Sequence, residues 1–453
     1  MAEAIRHDTT ARQLRLLSDA LDSGRLGPVR RMVNTLSPAE IGNLLESLPP
    51  AKRSVVWGLV DAEDDGEVLV HVGDEVRESL IADMDPDELV AAVEDLDIDD
   101  LADLVEDLPE AVIDEVLKSM DRDNRERLEQ VLSYEEDTAG RLMNPDVVTV
   151  RADTSIEVVL RYLRLRGELP EQTDHLYVVN RRHQLMGWVA LQDLLTHEPG
   201  IPLNQLIDEE LESIHVNAPA EEVARRFSDN DWTSAPVVDD GNVLLGRITV
   251  DDVIDIIRDQ AEHQALGAAG LDEEEDLFSP VPRAVRGRIV WLGINLCTAF
   301  LAASVIGQFD ATIERIVALA VLMPIVAGIG GNAAVQVLTL MVRGLALGQV
   351  GASNARILLW KEIRVALING VLIGGLVGLV ALAWFRDWLL SLVIALALVI
   401  NCASAALAGV LLPLALKRMR IDPAVAGTVV VTAVTDVMGF FSFLGLATLI
   451  LLR

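Results

Sequence analysis

One carboxylate lies near the middle of the last long apolar stretch of the chain. Asp436 comes 12 residues after Ala424, where that stretch begins, and the stretch holds no basic residue that could pair with it. An ionised side chain at this depth in a membrane costs at least about 2.5–3.5 kcal/mol on insertion scales, so such residues are rare and usually functional. We therefore predict that Asp436 faces water and binds a cation; the alternative is a protonated carboxyl packed among helices. Polar or small residues at i−8, i−4, i−1 and i+3 are predicted to line the same path: Thr428, Thr432, Thr435 and Gly439.

A second group of small and polar residues interrupts an earlier apolar stretch. Pro324 is followed by Gly328-Ile329-Gly330-Gly331-Asn332. Proline removes a helical hydrogen bond, and irregular backbone at membrane depth must line a cavity. We therefore predict a broken span that brings Gly331, its neighbouring backbone carbonyls and the Asn332 amide to the ion path. Asp422 precedes the last apolar stretch and is predicted to cap that helix, with a place at the inner mouth of the path as the alternative.

Five apolar stretches are long enough to cross the hydrocarbon core of a membrane, which takes about 20 residues of helix. They are residues 289–309, 313–342, 366–385, 389–416 and 424–452. Basic residues between them fix the orientation, because Lys and Arg are retained on the cytoplasmic side. With a cytoplasmic N-terminus, that side holds Arg286, Arg288, Arg343, Arg356, Lys361, Arg364, Lys417, Arg418 and Arg420, and the other side holds Arg315, Arg386 and Arg453. We predict a multi-pass protein of the cell (inner) membrane whose N-terminal domains are cytoplasmic.

The remaining part of the chain is strongly acidic. Residues 1–285 contain 64 of the 70 Asp and Glu residues but only 25 of the 37 Lys and Arg residues. Such a surface repels phosphate, which argues against a nucleic-acid partner. Carboxylates are also the oxygen ligands that Mg²⁺ and Ca²⁺ prefer, although a solvated acidic surface explains most of them.

Residues 10–135 have the pattern of many short helices. Ser37-Pro38-Ala39-Glu40 and Asp85-Pro86-Asp87-Glu88 each offer a capping residue, proline at the first helical position and Glu three residues on. Leucines at i, i+3 and i+7 form apolar stripes in residues 41–49 and 101–109. Short helices of this kind stack into a superhelix, so we predict an all-α N domain.

A repeat with an offset of 59 residues follows, over residues 143–262. It relates Tyr177 to Pro236, Gly187 to Gly246 and Asp193 to Asp252. Each unit has the pattern of a strand, a turn, a glycine-marked strand and a helix.

The repeat resembles a tandem CBS pair, an α/β module that commonly binds adenosyl ligands. The resemblance implies a nucleotide site with Thr249 and Asp252 at the start of the last helix. A purely structural role, in which both residues only cap that helix, fits the sequence equally well.

The order of these parts resembles the MgtE family of magnesium channels and transporters over nearly the full chain. The segments that carry the resemblance are 132–143 (LSYEEDTAGRLM), 422–424 (DPA) and 434–439 (VTDVMG). It implies an acidic helical N domain at 1–138, a CBS module at 139–262 with units at 139–203 and 204–262, and a plug helix or linker at 263–285. A transmembrane pore domain with five helices then occupies 286–453. The linker contains the acidic run 272–276.

The resemblance also implies a mechanism. It implies a homodimer, embedded in lipid, with one pore in which Asp436 is the main ion-binding carboxylate and through which hydrated Mg²⁺ enters. Cytoplasmic Mg²⁺ would close the pore by binding between acidic faces of the N domain, the CBS units and the plug helix. The candidate ligands there are Asp252, Asp255, Asp259 and Glu262, and ATP is a candidate ligand of the CBS module.

Two departures from the family pattern keep alternatives open. The second span reads Gly331-Asn332-Ala333-Ala334-Val335-Gln336 where the family has G-N-x-G-N-Q, and residues 258–262 of the plug region hold fewer acids. One alternative is a less selective transporter that admits Co²⁺ or Mn²⁺. Another is a non-conducting membrane sensor. The sequence has no Walker A, GxSxG or HExxH motif, so we do not expect an enzyme.

Overall fold

The structure, a computed structural model, describes residues 17, 20–21, 26–94, 96–105, 107–170, 172–208, 212–267, 269–271, 276–351, 354–419 and 421–452. The chain forms two compact units. The first comprises Met1–Gln260 and Glu274–Ser279, and the second comprises Ala261–Glu273 and Pro280–Arg453.

Short helices around one apolar core open the first unit. Ser37 Oγ accepts a hydrogen bond from Glu40 N at 3.3 Å, and Glu40 Oε2 accepts one from Ser37 N at 3.0 Å, so the predicted capping box is present. Leu45, Leu101 and Leu104 are buried in the core. The predicted helical N domain is thus confirmed. Its helices are α1 (Leu26–Val33), α2 (Pro38–Glu46), α3 (Pro50–Trp57), α4 (Asp65–Val70), α5 (Asp74–Ile81), α6 (Pro86–Val93), α7 (Ile98–Val105), α8 (Glu110–Ser119) and α9 (Arg122–Val131).

Two three-stranded sheets follow, and they repeat the same topology. In each sheet the first strand runs parallel to the second, and the second runs antiparallel to the third. The strands are β1 (Thr149–Val150), β2 (His175–Val179) and β3 (Leu185–Ala190), then β4 (Ile214–His215), β5 (Ser234–Val238) and β6 (Leu244–Thr249). The helices are α10 (Ala139–Leu142), α11 (Ile156–Arg166), α12 (Leu191–Thr196), α13 (Ala220–Asn230) and α14 (Val250–Gly267). The α/β repeat predicted from the sequence is confirmed.

The glycine in each repeat permits a close backbone approach. Gly187, with φ of 149°, lies so near the segment at Asp208 that an added Cβ would come within 2.4 Å of the Asp208 carbonyl oxygen. A Cβ added to Gly246 would come within 2.7 Å of the Asn144 carbonyl oxygen. Asn144 leads into the first repeat but pairs with β6 of the second, and Asp208 leads into the second but pairs with β3 of the first. The two repeats are therefore interlocked.

The connection to the membrane part differs from the prediction. A plug helix or linker was expected at 263–285, whereas α14 starts at Val250, inside the second repeat, and continues without a break to Gly267. The first apolar helix begins at Val281. Of the predicted acidic run, only Asp276 is described, and residues 272–275 lie outside the described residues.

The second unit contains five helices long and apolar enough to cross a membrane, within the ranges that the structure describes. They begin up to 11 residues before the predicted spans, except that the second begins five residues later, after the short helix α16 (Asp310–Arg315). Arg420 and Arg453, used above for orientation, lie outside the described residues. The five spans are α15 (Val281–Gly307), α17 (Ala318–Ala346), α18 (Ala355–Phe385), α19 (Trp388–Arg418) and α20 (Pro423–Leu451).

The predicted break in the second span is wrong. Helix α17 continues through Pro324 and through Gly328–Asn332. Proline removes only its own N–H from the helical ladder, and the glycines retain theirs. The glycine carbonyls therefore remain within a regular helix, and their contribution to an ion path as free backbone ligands is not observed.

Candidate ion path and acidic sensor

Polar and small residues follow four-residue spacing along two neighbouring spans. On α17, Gly328, Asn332 and Gln336 are exposed, and on α20, Thr428, Thr432 and Asp436 are half-buried. We call these six residues the polar face. The two helices touch beside it, because a Cβ added to Gly331 would lie 3.8 Å from Thr432 Cγ2. Residues with this spacing lie on one side of a helix.

Asp436 has no hydrogen-bonding or ion-pairing side chain within the described ranges. The Thr432 hydroxyl donates to Thr428 O at 2.7 Å, so this hydroxyl is satisfied by its own helix. A half-buried carboxylate without a protein partner is free to accept hydrogen bonds from water or from the water shell of a cation.

Two residues predicted to line the path lie elsewhere. Thr435 is fully buried, and its hydroxyl donates to Thr432 O at 2.9 Å. Gly439 is buried against the side chain of Asn401 on α19. Thr435 and Gly439 therefore face neighbouring helices of the same chain and do not belong to the polar face. For Thr435 the physical reason is that a residue at i−1 lies about 100° around a helix with 3.6 residues per turn, and for Gly439 it is the close approach of the Asn401 side chain.

Asp422 caps α20, which is the role predicted first. Its Oδ1 accepts a hydrogen bond from Ala424 N at 2.7 Å. Its Oδ2 lies 2.5 Å from His263 Nε2, and His263 belongs to the last turns of α14. The role of His263 could not be predicted, because nothing in the local sequence indicates a contact between positions 159 residues apart.

Two further buried polar residues in the spans were missed. Glu362 is 4 % exposed, and its Oε1 lies 2.7 Å from Lys361 Nζ. Its helix, α18, begins 11 residues before the predicted span, because the charges at 356–364 hid the helix start in the hydropathy pattern. Asn401, in the middle of α19, is fully buried. A polar residue within an apolar stretch was the signal that could have identified it.

An acidic cluster forms in the first unit, where the start of α7 meets the start of α14. Its members are Asp97, Asp99, Asp100, Asp103, Asp251 and Asp252. Burial, together with the charge of Asp252, raises the pKa of Asp99 well above its usual range. Burial and neighbouring carboxylates raise the pKa values of Asp100 and Asp252 to about 7 each. These carboxyls therefore keep their protons to a higher pH than a free carboxyl does, because burial and the neighbouring carboxylates both disfavour the ionised form.

Within the described residues, no three carboxylate, imidazole or thiol groups converge closely enough to form a ready metal site. The Asn144 amide contacts two cluster members, since its Nδ2 lies 3.2 Å from Asp97 Oδ2 and from Asp99 Oδ1. The amide group thus bridges the Asp97 and Asp99 carboxyls.

We expect the pH to change the stability of the full-length protein when divalent cations are removed. The pKa values of Asp100 and Asp252 are about 7 in the folded chain against 3.8 for a free carboxyl. Protonation of these two carboxyls therefore favours the folded state. This contribution to stability is fully present below about pH 3.8 and is lost as the pH rises through about 7. Asp65, whose pKa burial raises to about 6, acts in the same direction.

In detergent with EDTA, the unfolding temperature of the cytosolic part should fall by a few degrees between about pH 6 and about pH 8. Asp100→Asn with Asp252→Asn should flatten this dependence, and millimolar Mg²⁺ should remove it in the unmodified chain. An unfolding temperature that stays constant over this range in EDTA would contradict the assignment.

Thr249 and Asp252 form a helix cap. Asp252 Oδ2 accepts hydrogen bonds from Thr249 N at 3.1 Å and from Thr249 Oγ1 at 3.0 Å. Asp252 therefore serves both the cap and the acidic cluster. The other predicted ligands on α14, Asp255, Asp259 and Glu262, are exposed. Arg258 lies 3.3 Å from Asp255 and 3.6 Å from Asp259.

A buried ion pair ties the N domain to the residues just before the first span. Arg53 Nη2 lies 2.6 Å from Asp276 Oδ2, with both side chains at most 5 % exposed. Arg53 also donates to the carbonyl oxygens of Leu45 and Leu48. Glu75 Oε2 accepts from Asp276 N at 2.8 Å and from the Ser279 hydroxyl. We call residues 276–279 the strap.

The comparisons with known proteins cover nearly the whole chain. Family models match a divalent cation transporter (MgtE) at 323–446, the MgtE intracellular N domain at 36–137, and CBS domains at 139–200 and 203–259. Magnesium transporter MgtE of Thermus thermophilus is 32% identical over 450 residues, which are 96% of this chain and 98% of the relative. Magnesium transporter MgtE of Bacillus subtilis is 27% identical over 430 residues, covering 94% and 95%.

A crystal structure of the cytosolic domain of the Mg²⁺ channel MgtE in complex with ATP is 32% identical, with a TM-score of 0.48, and covers 53% of this chain and 98% of that one. The relatives are named as transporters and not as enzymes. The five apolar helices and the family together establish a multi-pass membrane protein with a soluble N-terminal part. By its identity to the Thermus protein over almost its entire length, the chain belongs to the MgtE family of magnesium transporters.

Proposed function

We propose that the protein conducts hydrated Mg²⁺ into the cytoplasm, down the electrochemical gradient, and has no catalytic activity. The observation that carries the proposal is Asp436, a carboxylate in the middle of α20 with no partner among the described residues. A divalent ion held through its waters needs only one or two carboxylates. An inside-negative potential supplies about 4.6 kcal/mol per 100 mV for two charges, so no other energy source is required.

We propose a homodimer in which the polar face of each chain lines one pore. Lipid cannot cover this face cheaply, because Asp436, Asn332 and Gln336 carry polar groups that the hydrocarbon core leaves unsatisfied. A second copy related by a two-fold axis would cover both faces at once. It would also place two Asp436 carboxylates around a shared water-filled path, which doubles the charge that attracts the ion.

The two departures from the family pattern in α17 differ in where their side chains lie. Asn332 and Gln336, which the pattern shares, lie on the exposed side of α17. Ala334, which stands where the family has glycine, is fully buried in a core cluster with Leu338, Ala405 and Val431. The change at Ala334 therefore alters packing inside the chain and not the groups offered to the ion. Val335 is half-buried, and transport of Co²⁺ or Mn²⁺ stays the second candidate because an amide is lost there.

We propose further that cytoplasmic Mg²⁺ closes the pore by binding at the acidic cluster. Without a cation, the ionised carboxylates of the cluster repel one another and loosen the contact between α7 and α14. Bound Mg²⁺ removes this repulsion and stabilises the contact. Because α14 continues to His263, whose side chain contacts Asp422 at the start of α20, a shift of α14 has a direct route to the pore helix.

An adenine nucleotide such as ATP is proposed as a ligand of the CBS module. Thr249 supplies a hydroxyl, which can donate or accept a hydrogen bond, and Asp252 supplies a carboxylate, which can accept hydrogen bonds from ribose hydroxyls. Both groups are engaged with each other in the cap, so a bound ribose would compete with that hydrogen bond. Nucleotide binding would in this way alter the charge balance of the acidic cluster.

The test is Mg²⁺ flux into liposomes that contain the purified full-length protein, with Mg²⁺ varied independently on each face. We expect uptake that rises with an inside-negative potential and falls when millimolar Mg²⁺ is present on the cytosolic face. Competition by Co²⁺ or Mn²⁺ distinguishes the less selective transporter. The absence of flux at every Mg²⁺ and nucleotide concentration would refute conduction and favour a non-conducting sensor.

A further inference from the structure

The amide of Asn401 occupies the junction of three spans at the back of the polar face. Asn401 is 0 % exposed and belongs to the middle of α19. Its Nδ2 donates a hydrogen bond of 2.9 Å to the carbonyl oxygen of Val326 on α17. A carbonyl oxygen has two lone pairs, so Val326 O can accept this bond in addition to a helical one. An amide at this depth has no water available and is retained only where neighbouring groups accommodate it.

Two glycines on different helices make room for this amide. A Cβ added to Gly330 of α17 would lie 2.0 Å from Asn401 Nδ2, and one added to Gly439 of α20 would lie 2.7 Å from the same atom. Contacts below 3.0 Å force the neighbours to move, so a side chain at either position would require the amide to shift. Gly330, one of the second-span glycines predicted to bring backbone carbonyls to the ion path, and Gly439, predicted to line it, therefore lie beside the Asn401 amide.

The two glycines lie next to the ends of the polar face. Gly330 precedes Asn332 by two residues, and Gly439 follows Asp436 by three. Asn401 Oδ1 has no hydrogen-bond partner within the described residues. A side chain kept for packing alone would more simply be apolar, since burying an unsatisfied carbonyl oxygen is costly.

We propose that Asn401 is a positioning residue for ion conduction, which sets the separation of α17 and α20 and hence the placement of Asn332 relative to Asp436. The role is indirect, because the amide is enclosed by the spans and does not reach the polar face. The proposal rests on the proposed function for its effect on flux, whereas its geometric part can be tested without transport.

The geometric test uses a disulfide between α17 and α20. Cys297→Ala and Cys402→Ala first remove the two native thiols from the full-length protein. Gly331→Cys and Thr432→Cys then place two thiols where a Cβ added to Gly331 would lie 3.8 Å from Thr432 Cγ2. Because disulfide formation demands a narrow range of separations, adding Asn401→Ala should slow oxidation at least about fivefold. Equal rates with and without Asn401 would overturn the proposal, whatever the protein transports.

The flux test adds a methyl group at Gly330 and then removes the Asn401 amide with which this methyl group collides. We expect Gly330→Ala to lower Mg²⁺ flux per folded molecule about tenfold or more, because its methyl group collides with the amide. Gly330→Ala combined with Asn401→Ala should recover at least about threefold of this loss, since the methyl group then occupies vacated space. Gly445→Ala on α20 is the matched control, because its added Cβ meets nothing within 4 Å.

Size-exclusion profiles establish that each variant is folded before flux is compared. A double variant no better than Gly330→Ala would overturn the proposal, as would Asn401→Ala with unchanged flux per folded molecule. If the unmodified protein carries no Mg²⁺, the proposed function fails and the disulfide rates alone decide the role of Asn401.

Discussion

Asp436→Asn should reduce Mg²⁺ influx into liposomes by at least about 100-fold, which corresponds to about 2.7 kcal/mol of lost stabilisation for the ion in the path. Asparagine keeps the shape of the side chain but removes the negative charge that holds the hydrated cation. Charge interactions are strong at this depth, because little water screens them. The variant should fold normally, since no partner of Asp436 within the described residues is left without a hydrogen bond and the cost of a charge in the membrane is removed.

A matched control is available in the preceding span. Asp387 caps α19 by accepting hydrogen bonds from Leu389 N and Leu390 N, and asparagine caps helices about as well as aspartate. Asp387→Asn therefore makes the same chemical change outside the polar face and should leave flux within about twofold. Flux of Asp436→Asn equal to that of the unmodified protein would eliminate the proposed role of this carboxylate.

Neutralising Asp99 and Asp100 together should abolish the response of the cytosolic part to Mg²⁺. In the unmodified chain, protease cleavage within residues 255–282 should slow at least about tenfold when millimolar Mg²⁺ is added, because the ion removes repulsion inside the acidic cluster. Asp99→Asn with Asp100→Asn removes the same repulsion permanently. The double variant should therefore be protected without Mg²⁺, and Mg²⁺ should add nothing.

The control for this experiment removes two charges elsewhere on the N domain. Asp87 and Glu115 are exposed on α6 and α8 and lie outside the acidic cluster. Asp87→Asn with Glu115→Gln changes the net charge equally and should retain the full Mg²⁺ response. A double Asp99/Asp100 variant that still requires Mg²⁺ for protection would show that the sensor lies elsewhere.

Features that depend on local composition were predictable from the sequence. Apolar length identified the five spans, and the offset between Gly187 and Gly246 identified the repeated sheets, because a close backbone approach demands glycine at both places. The position of Asp436 within its span was equally clear. Its neighbours on the polar face were predicted less well, since Thr435 was grouped with it although adjacent residues point in different directions on a helix.

Features that depend on tertiary contact were not predictable. The acidic cluster joins α7 to residues 251–252, about 150 positions away, and only their proximity raises the pKa values of Asp100 and Asp252. Pro324 and the glycines after it are compatible both with a broken helix and with a continuous, packed helix. The local sequence does not distinguish the two, because the side chain that packs against Gly330 is Asn401 in a different span. The same holds for the contact of His263 with Asp422.

The strap alters what a truncation of the N domain would measure. Pro280 alone separates Ser279 from the first residue of α15, so the strap is joined to the first span by a single residue. A chain lacking the N domain loses Arg53 and Glu75 together with four of the six aspartates of the acidic cluster, those at positions 97, 99, 100 and 103. Its phenotype would therefore combine the loss of metal sensing with the loss of the contacts that hold the strap. Replacing Arg53 and Glu75 together separates the two effects, because it removes both side chains that contact the strap and leaves every aspartate of the cluster in place.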